Sequence, residues 1–115
     1  MVQGDLQLSA DCERIVAETV RRFLRIDVLI NNAGVMVQRV PIANLSDQMF
    51  DDVFSLNVRS VMTCTKYAIA HMLDGGSIIN LTSVAARNGW GRVPAFIPAS
   101  RALSARIPRA WPRSW

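Results

Sequence analysis

The chain has 115 residues and a mass of 12.8 kDa, which bounds it to one domain at most. Half of the residues are hydrophobic and 19% are charged, which excludes a disordered chain; two widely spaced cysteines, Cys12 and Cys64, exclude a disulfide scaffold and a Cys-cluster zinc site, so no metal centre is expected. The net charge of +4 joins two unlike parts: residues 1–86 carry −2, and residues 87–115 carry +6, with six arginines, no lysine and no acid.

Ser9 stands where it can cap a first helix. Cys12, Ile15, Val16, Val20 and Phe23 follow at helical spacing, with Arg14, Glu18, Arg21 and Arg22 mostly on the other faces. That pattern predicts an amphipathic surface helix. Ile26–Ile30 is a nearly continuous apolar run with β-branched residues, as buried parallel strands are. Asn31-Asn32-Ala33-Gly34 ends it with turn residues.

After a loop containing Pro41, Ser46 can cap a second helix. Phe50, Phe54, Val61, Cys64, Ala68 and Met72 form one apolar stripe, so this helix is predicted from Asp47 to about Leu73, stopping before Gly75-Gly76. Ser77–Thr82 reads as a second buried strand. Alternating helices and strands imply an α/β fold with a parallel sheet.

From Arg87 onward the pattern decays, and four of the five prolines and all three tryptophans fall there. Pro94, Pro98, Pro108 and Pro112 restrict the backbone and remove donors, leaving room for two helical turns at Ser100–Arg106. The organisation expected is a folded unit over 1–86 and an irregular Arg/Pro/Trp-rich tail over 87–115. Arginines beside tryptophans suit nucleic-acid backbones and stacked bases. The composition favours the plainer reading of a solvated or misread tail, so nucleic acid is not an expected partner. No apolar run reaches membrane-spanning length, and Met1–Asp5 lacks the basic start and apolar stretch of a signal peptide. The expected compartment is the cytoplasm, with no membrane partner.

Three features carry chemistry. In open parallel sheets, ligands bind beyond the carboxyl ends of the strands, which is where Asn31–Gly34 falls. Small residues there allow close approach, and the asparagines offer donors and acceptors; the alternative is a turn that only closes the strand. Asn57 interrupts the apolar stripe, and a buried amide left unpaired costs on the order of 1–3 kcal/mol. It is either a satisfied core residue or a functional one. Ser83 lies just past the second strand, again at a carboxyl end, as a capping serine or a site serine. All three converge on one edge of the sheet. Tyr67 lies inside the second helix, His71 near its end, and both cysteines on apolar faces, so none of these four is a site residue.

Asn31–Gly34 after an apolar strand, Asn57 in the long helix, and Gly76-Ser-Ile-Ile-Asn-Leu-Thr-Ser83 resemble the short-chain dehydrogenase/reductase family. Val2-Gln-Gly-Asp5 resembles the end of that family's third strand. Steps of 26 residues separate Asp5, Asn31, Asn57 and Ser83 in turn, which suits the assignment. The resemblance covers roughly residues 1–103. It implies a partial Rossmann-like, doubly wound parallel sheet and an NAD(P)-dependent oxidoreductase that moves hydride between a nicotinamide and a carbonyl or alcohol substrate. It implies cofactor contacts at Asp5, which meets the adenine end, and at Asn31, Asn32, Ala33 and Gly34. It also implies a water-positioning role for Asn57 and a substrate-oxygen role for Ser83. The long helix resembles the one that pairs subunits in that family, so a homo- or hetero-oligomer is a further expectation. A non-catalytic fragment that binds a partner subunit is the alternative function.

The chain departs from the family where catalysis is concentrated. Phe96 stands thirteen residues after Ser83, where the family has its tyrosine, and Arg101 stands one residue past the position of its lysine. Phenylalanine has no ionisable proton, and arginine does not deprotonate. No glycine-rich phosphate loop occurs in the sequence. Neither tight cofactor binding nor independent turnover is therefore expected of this chain. A shift of reading frame between about Pro94 and Ser100 would account together for the missing lysine and acids, the prolines and the tryptophans. Another frame of codons permitted for Ser100–Ser104 encodes Lys-Gly-Ala-Leu.

Overall fold

The computed structural model describes residues 1–36 and 40–84; Phe96, Arg101 and the whole 87–115 segment lie outside the described residues. Helix α1 spans Ser9–Phe23, strand β1 Ile26–Asn31, helix α2 Asp47–Phe54, helix α3 Ser60–Ile69 and strand β2 Met72–Asn80. A short 3-10 turn, Ile42–Asn44, precedes α2. Strands β1 and β2 pair in parallel, with Leu29 opposite Ile78, Ile30 opposite Ile79 and Asn31 opposite Asn80. The α/β class and the parallel sheet are those the sequence pattern implied.

Helices α1 and α3 pack together on one face of the sheet. Their apolar stripes meet the strands in a core of Val16, Ile26, Ala68, Met72 and Ile78, flanked by Val20, Leu29 and Tyr67. Each fully buried aliphatic side chain there contributes roughly 1.5–3 kcal/mol. The other sheet face is bare among the described residues. Val28, Ile30 and Ile79 remain 52%, 58% and 47% exposed. A parallel sheet ordinarily has both faces covered.

The ends of α1 differ from the expectation. Ser9 is the first helical residue and not the cap; Leu8 occupies that place and gives no side-chain cap. The start is held instead by a turn in which Leu8 N–H donates to Asp5 C=O at 3.0 Å. At the other end Leu24 adopts φ 65°, the left-handed conformation that closes many helices, with its N–H on Val20 C=O. Phe23, expected in the core, is 70% exposed.

The long helix is interrupted. Ser46 caps α2 as expected, its Oγ accepting from Met49 N–H at 3.2 Å. Ser55–Arg59 then forms one wide π turn before α3 resumes the ordinary pitch. Ser60, the first residue of α3, donates from its Oγ to Leu56 C=O in that segment. Val53, Asn57 and Val61 are buried at steps of four, while Phe50 is 40% exposed and stacks on Phe54. The helix ends at Ile69, and Met72 already belongs to β2, contrary to the run to Leu73. The chain turns because His71 N–H bonds Ala68 C=O and His71 C=O receives Ile26 N–H, which starts the sheet. Strand β2 likewise begins earlier and ends earlier than Ser77–Thr82. It absorbs Gly75-Gly76 through a register shift between Ile26 and Val28, and Gly75 takes φ 93° there.

Candidate functional site

The carboxyl ends of β1 and β2 lie side by side, and the predicted residues gather there. Asn31 closes β1, 8% exposed, and its Nδ2 donates to Asn80 Oδ1 at 2.8 Å and to Thr65 Oγ1 at 3.4 Å. The Asn31 carbonyl accepts Leu81 N–H at 3.0 Å, so the strand pairing continues one residue past β2. These bonds hold Asn31 as a bracket between the two strands and α3, with its side chain turned inward. Asn32 and Gly34 are exposed and Ala33 is half-buried.

Asn57 is fully buried at the centre of the π turn. Its Oδ1 accepts Val35 N–H at 2.8 Å and its Nδ2 donates to Val35 C=O at 3.0 Å. The amide thus pairs with the backbone just after Gly34 as a second peptide would, and ties the Asn31–Gly34 loop to the helix. Ser83 lies three residues beyond the end of β2 and is half-buried. Asn31–Gly34, Asn57 and Ser83 therefore share the carboxyl edge.

Asp5 stands apart from that edge, in the segment leading into α1. Its Oδ1 accepts Gln7 N–H at 2.9 Å, and its own N–H donates to Asp11 Oδ2 at 2.7 Å. That bond, and then the Arg14 guanidinium, hold the Asp11 carboxyl below the ordinary value of 3.8. Tyr67 is turned toward α1: a hydrogen bond to Glu13 raises its pKa, and its ring packs on the core. It does not replace the tyrosine absent from position 96. Burial, then Cys12, pushes the Cys64 thiol up to about 12, so both cysteines are core residues.

Asn80, Thr65 and Val35 complete the bracket and carry no role in the sequence reading. Asn80 falls within the Gly76–Ser83 motif, which is the sequence signal that could have found it. A depression of about 430 Å³ is lined by Thr19, Phe23, Arg25, Ile26, Asp27 and Val28. It opens at the amino end of β1, away from the gathered polar residues, so it is not the candidate site. Among the described residues no group of three or more metal-ligating side chains occurs, and no helix is long and apolar enough to cross a membrane.

This arrangement belongs to a known family. The short chain dehydrogenase family pattern matches residues 1–105, and the chain is a member of that family. An NADPH-dependent aldehyde reductase of Arabidopsis thaliana is 42% identical over 88 residues, covering 76% of this chain and 31% of the relative. The crystal structure of NADH-dependent reductase A1-R', complexed with NAD, superposes with a TM-score of 0.81 at 39% identity, covering 87% of this chain and 44% of that one. A blue fluorescent protein from a metagenomic library, in complex with NADPH, superposes with a TM-score of 0.82 at 28% identity, covering 87% and 40%. The chain thus spans about a third of the length of the curated relatives it matches. The fold is the corresponding part of a Rossmann-like sheet.

Proposed function

We propose that this chain supplies the carboxyl-edge portion of an NAD(P)-dependent oxidoreductase acting on a small carbonyl or alcohol substrate, in the cytoplasm. The observation that carries the reading is the Asn57–Val35 pairing, which ties the Asn31–Gly34 loop to the helix at the strand ends. Asn32, Ala33 and Gly34 then face the cofactor with little side-chain bulk, and Asp5 meets its adenine end. The nicotinamide, when bound, exchanges hydride with the substrate carbon. Ser83 holds the substrate oxygen and Asn57 orders a water for the proton path. Phe96 transfers no proton, and Arg101 offers positive charge without being able to release it. Turnover therefore needs an acid/base group from outside these residues.

The test is a chimera in which residues 1–84 replace the matching segment of the Arabidopsis reductase, whose own remaining sequence is kept. It should reduce aldehydes with NADPH, and Ser83→Ala in that chimera should lower the rate on the order of 10²–10³-fold. A folded chimera that binds NADPH but is indifferent to Ser83→Ala overturns the assignment.

A second reading is association with another subunit through the long helix. Phe50 and Met62, 40% and 53% exposed along it, support that reading. Size-exclusion and crosslinking with a full-length relative test it, and the absence of any mixed oligomer removes it.

A further inference from the structure

The segment before α1 is tightly held. Asp11 lies in the first turn of α1, where a carboxylate suits the helix dipole. Its Oδ1 takes Arg14 Nη2 at 2.9 Å and Nε at 3.2 Å, while its Oδ2 takes Asp5 N–H at 2.7 Å. The same Arg14 Nη2 donates to Gln3 C=O at 2.8 Å. Gly4, between those two anchored residues, lies flush on the pair. A Cβ there would come within 2.9 Å of Ile15 Cδ1, 3.0 Å of Arg14 Nη2 and 3.1 Å of Asp11 Oδ2. Gln7 N–H fixes Asp5 Oδ1, and Leu8 N–H fixes the Asp5 carbonyl. The backbone of Asp5 and one of its carboxylate oxygens are thus set from both sides; among the described residues Oδ2 meets no donor, which leaves it for one from outside.

We propose that Asp11, locked by Arg14, is a positioning residue that aims Asp5 at the exocyclic amino group of an adenine ring. The inference rests on the reading above in which Asp5 meets the adenine end of the cofactor. An ionised carboxylate only accepts hydrogen bonds. Adenine presents an amino donor at its six position, whereas hypoxanthine presents a keto oxygen, which a carboxylate repels. A correctly aimed Asp5 therefore distinguishes AMP from IMP, and a loosened one does not.

The experiment is a titration of the ¹⁵N-labelled full chain with AMP and, separately, IMP at millimolar concentration, following the Asp5 and Leu6 amides. The wild-type chain should favour AMP by on the order of tenfold. Asp11→Ala and Arg14→Ala should bring the two dissociation constants together by weakening AMP alone, with IMP binding unchanged. Gly4→Ala, which displaces Arg14 and Asp11 without removing a charge, should act in the same direction and serves if Asp11→Ala does not fold. Equal weakening of both nucleotides, or no change in either, overturns the positioning role. A wild-type chain that does not distinguish AMP from IMP overturns the Asp5 reading itself.

Discussion

The side-chain amide of Asn57 pairs with both backbone groups of Val35, at 2.8 Å and 3.0 Å, inside a π turn where Asn57 has no solvent exposure. One residue thereby satisfies a loop donor and a loop acceptor and fixes the turn that follows Gly34. Asn57→Ala leaves Val35 N–H and C=O without that partner, at a cost on the order of 1–3 kcal/mol. Urea denaturation should show that loss, and amide exchange should show Val35 deprotected. An unchanged midpoint would mean that another group holds the loop.

Leu24 takes φ 65° and is 84% exposed, so it bears the steric cost of a left-handed residue while burying little. Leu24→Gly should stabilise the chain by about 1 kcal/mol, because glycine adopts this conformation without the Cβ clash. Thermal melts of the two chains compare them directly. A lower midpoint for the glycine variant would show that the leucine side chain makes a contact worth more than the strain.

Cys12 and Cys64 are buried, and burial together with Cys12 raises Cys64 to about 12. Burial shields both thiols from reagent, and Cys64 must also ionise against its raised pKa, so both should resist Ellman's reagent in the folded chain at pH 8. Both should react promptly in denaturant. Fast labelling of either thiol without denaturant would show that the α1–α3 interface opens.

Asp11 has a depressed pKa, caused first by Asp5 N–H and second by Arg14. Its stabilising contribution is therefore present above 3.8, the ordinary value, and is lost as pH falls through the lower folded value. The side-chain carboxyl resonance of Asp11 should titrate with a midpoint below 3.8. A midpoint at or above that value would mean the clamp is not formed in solution.

Much of this was legible from residue pattern. Apolar runs bounded by turn residues located both strands, and β-branched residues at Ile26, Val28 and Ile30 marked β1. Ser46 announced its cap because a hydroxyl three residues before a free N–H is a local feature. The π turn was not legible, since the apolar stripe reads as one ordinary helix and the Asn57–Val35 pairing inside it spans 22 residues. Phe50, in phase with the apolar stripe, is exposed, while Val53 is buried. The places of Asn31 and Ser83 at one edge followed from strand ends, whereas Asn57 reaches that edge from the helix and the bracket of Asn80 and Thr65 needed the register. Asp5 was recognisable only by resemblance, and its partner Asp11 by neither pattern nor spacing, because their contact is a turn-specific bond.

The most direct test of the central claim is a titration of the ¹⁵N-labelled full chain with NADH, mapping which amides shift. The account expects shifts concentrated at Asp5, Leu6, Asn32, Ala33 and Gly34, with weak affinity, because no glycine-rich loop among these residues grips the pyrophosphate. Shifts confined to Thr19, Phe23 and Val28, or none at the Asn31–Gly34 edge, would contradict it.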